Sequence, residues 1–230
     1  MKTDYFQKEY GSWSVLVVAW AIGTGVSRNF HWTALLLLVA LGLLVNSKTA
    51  VTKWLRSTSD VKPLLIFFLH VVFAGILLVL MMKDGVIMLL PLLVFPAAYL
   101  LSSKLAGEHA LITESIGFIL LSLAAVVAKY LLTGVLDVRL LLGVASFFTA
   151  GVFKVKALLH RTVKYRVLII VHVLCALYIY YRMHIPFIIL LPLIDNIIVA
   201  VSPYRVRLKT AGWIEVAKSL VALALFIRYY

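Results

Sequence analysis

The run PLLIFFLHVVFAGILLVLMM, residues 63–82, decides the fold. It carries no Asp, Glu, Lys or Arg, and His70 is its one titratable side chain. At 1.5 Å per residue a helix of this length spans about 30 Å, the thickness of the hydrocarbon core of a bilayer. Nothing in the run alternates with period two, and its unpaired backbone groups would be too costly in lipid unless they form a helix. It is therefore read as a transmembrane helix.

The rest of the chain agrees. Of 230 residues 64% are hydrophobic and 13% charged, and the mean hydropathy is +1.08. Soluble domains hold roughly half apolar and about a quarter charged residues. The formal net charge of +13 would point to nucleic acid in a soluble chain. Here the basic residues cluster between apolar runs, as in a membrane protein, and nucleic acid is set aside as a partner. The single cysteine, Cys175, excludes a disulfide framework or a Cys-based metal site within one chain. The opening residues MKTDYFQKEYGSW mix charge signs and show no small-residue cleavage site, so no removable signal peptide is read there.

Apolar runs place nine helical spans at 12–27, 31–46, 63–82, 85–102, 110–132, 138–153, 167–183, 185–202 and 211–229. With the N-terminus cytoplasmic, fifteen Lys and Arg fall on the cytoplasmic face. They are Lys2, Lys8, Lys48, Lys53, Arg56, Lys62, Lys104, Lys154, Lys156, Arg161, Lys164, Arg166, Arg205, Arg207 and Lys209. Five fall opposite, at Arg28, Lys83, Arg139, Arg182 and Arg228, while Lys129 and Lys218 lie inside spans. Such a bias orients the chain, with its C-terminus outside the cell membrane.

A repeat near 101 residues is also legible. VIMLLPL (86–92) aligns with FIILLPL (187–193), Lys53 with Lys154, and Glu114 with Glu215, while His70 and His172 pair at 102. This divides one transmembrane domain into an N-terminal segment with the first helix (1–30), a first unit (31–132) and a second unit (133–230). Four helices per unit make the repeats parallel, about an axis along the membrane normal.

Ionisable residues within spans are costly and mark candidate sites. Asp195 and Asn196, just after Pro192, form one; Glu114 and Glu215, near the starts of their helices where the dipole favours an anion, form another. Each of these admits a plain structural reading, as a hydrogen-bond hub or a carboxylate paired with a nearby Lys or Arg. Lys48, Lys53, Arg56 and Lys62 in one basic segment, and Lys154, Lys156, Arg161, Lys164 and Arg166 in FKVKALLHRTVKYR (153–166), are candidates for an anion or an anionic lipid headgroup. The second segment reads as a basic amphipathic helix lying at the interface. His70 and His172, at matched depth, are the candidate axial ligands of a haem b. No metal site is read, and no Gly-rich phosphate loop, G-x-S-x-G or H-E-x-x-H occurs.

Four stretches in order, KEYGSW (8–13), ALITES (110–115), FKVKALLHR (153–161) and AGWIEVAKS (211–219), resemble the YwiC-like family of bacterial and archaeal membrane proteins. Tyr10 stands where that family's opening motif carries His. The family implies a multi-pass inner-membrane protein without an established activity. A more distant resemblance is to the UbiA-type prenyltransferase bundle, also of nine helices. Its Asp-rich metal loops correspond to segments that hold one acid here, Asp60, so Mg2+-dependent chemistry lacks its carboxylates. Three function classes stand open at this level. They are an accessory or assembly subunit of a membrane (respiratory) complex, a permease for a small or amphiphilic anion, and a lipid- or prenyl-modifying enzyme with degenerate metal motifs. The first is the leading expectation, and catalysis is not.

Overall fold

Backbone groups that meet lipid must be satisfied within their own segment, and the chain answers with helices throughout. A computed structural model describes residues 10–56, 61–202 and 207–230. Among these residues it places nine α-helices, α1 (Tyr10–Ser27), α2 (Thr33–Arg56), α3 (Lys62–Met82), α4 (Val94–Ala106), α5 (Leu111–Thr133), α6 (Val138–His160), α7 (Val163–Arg182), α8 (Ile194–Val201) and α9 (Leu208–Tyr229). Two 3-10 segments, Lys83–Leu93 and Phe187–Leu193, lead directly into α4 and α8. Seven segments are long and apolar enough to cross a membrane; Phe187–Val201 is shorter.

The ends have local causes. Pro63 opens α3, where its missing N–H costs nothing. Gly134, at φ 71°, closes α5 in the left-handed conformation that a side chain would resist. Asp137 caps α6 by accepting the Leu140 N–H at 3.1 Å.

Helix α6 forms the centre: 72% of its apolar window is buried, against 6% for α3 and for Gly85–Ala106. Its buried side chains, Leu140, Val144, Phe147 and Phe148, join those of α1, α5 and α9 in one cluster. Helix α1 fits closely against its neighbours because it offers glycines. A Cβ on Gly23 would lie 2.0 Å from the Ala125 carbonyl oxygen of α5, and one on Gly25 would lie 2.5 Å from Ile227 of α9. Small residues at such crossings let helices approach closely in membranes. The outward faces of α3 and α7 present Leu65, Phe68, Phe73, Leu174, Tyr178 and Tyr181, an apolar surface larger than a water-soluble monomer carries.

Three expectations are corrected. The expected spans 31–46 and 138–153 stop short, since α2 runs on to Arg56 and α6 to His160. The stretch 153–166 is accordingly no interfacial helix: it is the end of α6, a left-handed Arg161 (φ 51°), and the first turn of α7. The spans 85–102 and 185–202 are each broken, beginning as 3-10 turns that contain Pro91 and Pro192. Proline lacks an N–H and its ring crowds the carbonyl four residues back, so an α-ladder cannot pass through it unbroken. The breaks end close behind these prolines, at Leu93, two residues after Pro91, and at Leu193, one after Pro192.

Candidate functional site

Four charged side chains from three helices meet inside the second half of the chain. Lys154 of α6 donates to Asp195 Oδ2 of α8 and to Glu215 Oε1 of α9, the latter at 2.7 Å. Lys218, one turn beyond Glu215 on α9, lies 3.0 Å from Glu215 Oε1 and 3.3 Å from Asp195 Oδ2. Each ammonium thus touches both carboxylates, and each carboxylate touches both ammoniums, in a closed ring of no net charge. Asn196 completes it by accepting from Lys218 and donating to the Ala150 carbonyl of α6 at 2.8 Å.

The helices deliver these groups to one depth. Lys154 lies about 9 Å from the end of α6 at His160, Asp195 about 9 Å from the end of α8 at Val201, and Glu215 about 10 Å from the start of α9 at Leu208, at 1.5 Å per residue. Asp195 falls there because the 3-10 segment ends at Leu193 and puts it in the first turn of α8, where the dipole favours a carboxylate. Glu215 lies deeper in its own helix, with no such help. Room for it comes from Gly151, whose Cβ would lie 3.2 Å from Glu215 Oε2.

Burial is uneven around the ring. The Lys154 and Lys218 side chains are 1% and 9% exposed, those of Asp195 and Glu215 25% and 27%. The cations are sealed inside, and the carboxylates keep about a quarter of their surface exposed. An isolated buried charge would cost several kcal/mol, so the lysines depend on the acids.

Of the residues singled out in the sequence, Asp195, Asn196 and Glu215 come together, whereas Glu114 does not join them. Glu114, in the first turn of α5, is 3.0 Å from Lys156, which also donates to the His109 carbonyl at 2.8 Å. Lys154 and Lys156 therefore correct the expectation of a headgroup-facing surface: both turn inward and are spent on carboxylates. Arg166 is likewise engaged, donating to the last carbonyls of α8 at Ala200 (2.6 Å) and Val201 (2.7 Å), as a cation at a helix C-terminus should. Arg161, Lys164 and Lys62 remain exposed. Lys48 lies 3.8 Å from Glu108 and 5.5 Å over the Tyr99 ring, and Lys53 is half-buried. The side chain of Arg56, and Lys2, Lys8 and Arg205, lie outside the described residues.

The two histidines sit on different helix pairs. His70 of α3 has both ring nitrogens engaged, with Asn46 of α2 at 2.9 Å and the Ile66 carbonyl at 2.7 Å. His172 of α7 bonds the Ser146 carbonyl of α6 at 2.8 Å and packs on Phe153. Haem ligation through Nε2 would require breaking the bonds to Asn46 and to the Ser146 carbonyl.

Two groups escaped the sequence reading. The sequence places Lys218 only inside a span, yet its position three residues after Glu215 puts it on the same helix face. At the opposite end of the bundle, Asp137 Oδ2 accepts from Lys129 (2.6 Å) and from the Tyr230 hydroxyl (2.8 Å), with Lys129 also 5.2 Å over the Tyr230 ring. Burial pushes the Asp137 carboxyl up, but the bonds from Lys129, the Leu140 N–H and Tyr230 outweigh it and hold it below the usual carboxylate range. Burial and the neighbouring carboxylate raise the Tyr230 phenol.

Helices of this length and hydropathy, with an apolar exterior around a charged interior, define a multi-pass membrane protein. The family model of the YwiC-like proteins matches residues 6–129, more than half of the sequence. The chain belongs to the YwiC-like family. The match takes in the first two motifs, KEYGSW and ALITES; the charged ring lies beyond it. No curated protein and no solved structure matches the chain, so the likeness to the UbiA-type bundle has no counterpart there.

Proposed function

We propose that this protein is a permease for a small or amphiphilic anion, in the cytoplasmic membrane with its N-terminus inside. Its bundle is read as nine spans in two parallel related halves, 31–132 and 133–230, with α1 added. The charged ring of Lys154, Asp195, Lys218 and Glu215 carries this reading. A purely structural contact is served as well or better by apolar side chains, which avoid desolvating four ions. Two ammonium groups held in reserve by exchangeable carboxylates are instead what an entering anion needs. The two broken spans support it, since interrupted helices at corresponding places in two halves are where transporters build their sites.

The test is uptake into liposomes holding the purified protein, with labelled chloride, nitrate, phosphate and lactate in turn. At least one should enter faster than into protein-free liposomes. Lys154→Met and Lys218→Met should each slow it at least tenfold while eluting as folded protein. Uptake of none of the four, or unchanged rates in both variants, refutes the permease. An accessory subunit is the second reading, favoured by the nearly unburied faces of α3 and Gly85–Ala106. It requires a stoichiometric companion after extraction in mild detergent.

A further inference from the structure

We propose that the ring couples each transported monoanion to one proton, carried on Glu215, so that the protein is a proton–anion symporter; this rests on the permease reading. The argument is one of charge. The resting ring holds two cations and two anions, and adding a monoanion would leave a net negative charge buried among α6, α8 and α9. A cation such as sodium does not solve this, because Lys154 and Lys218 already stand against both carboxylates and would repel it. A proton does. It forms one O–H bond on a carboxylate oxygen, cancels that carboxylate's charge, and leaves the ring one positive charge to offer the anion. Nothing is oxidised or reduced, and the proton departs on the far side with the anion.

Glu215 is the acceptor by geometry. Both of its lysine bonds fall on Oε1, and among the described residues Oε2 takes no hydrogen bond and points at the gap left by Gly151. Asp195 sits in the first turn of α8, where the helix dipole favours a carboxylate. Among the described residues, the other charged groups on the packed elements are bonded elsewhere or, like Lys164, Arg182, Lys209 and Arg228, exposed. On α6, Lys156 pairs with Glu114 of α5; on α7, Arg166 caps α8 and His172 bonds Ser146; α1 carries no charged residue over Tyr10–Ser27.

This arrangement dictates what neutralising Glu215 does. Glu215→Gln imitates the protonated acid, so the site accepts an anion with no proton. Once empty it is left with a buried positive charge, and it cannot return across the membrane without another anion. Exchange survives and net symport does not.

Liposomes loaded with the pH dye pyranine and clamped with potassium and valinomycin separate the outcomes. The same four anions are applied in turn. In the wild type, an inward gradient of a transported monoanion should acidify the interior at a rate independent of the clamped potential. Glu215→Gln should lose at least nine-tenths of that acidification and a clearly smaller share of labelled-anion exchange, and the exchange that remains above protein-free liposomes also reports its folding. Anion entry without acidification in the wild type, or acidification unchanged in Glu215→Gln, overturns the coupling and leaves the permease standing. Loss of both exchange and acidification in Glu215→Gln also overturns it. No anion movement in the wild type removes both proposals.

Discussion

Replacing Lys154 by Met tests whether the ring is held by charge balance. The side chain is 1% exposed and bonds Asp195 and Glu215 together. Met fills nearly the same volume, so the packing loss is small and the electrical loss dominates. Two carboxylates are then left to share Lys218, and removing one partner of a buried pair typically costs about 3–5 kcal/mol. For a chain of this size 1 kcal/mol shifts the melting temperature by roughly 2–4 °C, so a fall of about 10 °C is expected. The informative variant is Lys154→Met with Glu215→Gln, which leaves Lys218 facing Asp195 at 3.3 Å and restores neutrality. If charge balance holds the ring, the double variant should be more stable than the sum of the two single losses by at least about 1 kcal/mol, within the range for residues sharing a network. Thermal unfolding of the four purified proteins in one detergent measures it. Additive losses, or a fall of under 2 °C in Lys154→Met, would refute the reasoning.

Three further outcomes follow from local geometry. The Asp137 carboxyl is depressed when folded, so the unfolded chain binds more protons between its folded value and about 3.9, and stability rises with pH through that window. The stabilisation is complete above the unfolded value and lost as pH falls through the folded one; the melting-temperature gap between wild type and Asp137→Asn, clear at pH 7, should therefore narrow progressively as pH falls below about 3.9. Gly23→Ala would drive a Cβ to within 2.0 Å of the Ala125 oxygen and should lower the melting temperature by several degrees, whereas Gly212→Ala, with nothing within 4 Å, should be neutral or slightly stabilising. Arg166→Gln frees the carbonyls of Ala200 and Val201 and should raise amide exchange in α8 selectively, leaving α9 unchanged.

The segments from α3 to α9 were legible because lipid leaves a chain few options: long apolar runs must be helices, and α3 matches its reading of 63–82 to within one residue. Asp195, Asn196 and Glu215 were legible as costly residues for the same reason. The broken spans were not, because proline marks a place where an α-ladder fails without saying that 3-10 turns will replace it over Lys83–Leu93.

What the sequence by itself determined is the solvent: its apolar runs commit it to a bilayer and to helices, and its basic segments fall between those helices. What only the tertiary structure decided is which of those basic residues face outward. Lys154, Lys156 and Arg161 look alike in FKVKALLHR, yet Lys154 is sealed in the ring, Lys156 bridges to α5, and Arg161 stands exposed. A lysine's direction depends on whether a carboxylate waits across the helix contact, and Asp195 and Glu215 lie 41 and 61 residues further along the chain. Local spacing cannot carry that information; the packing of α6 against α8 and α9 does.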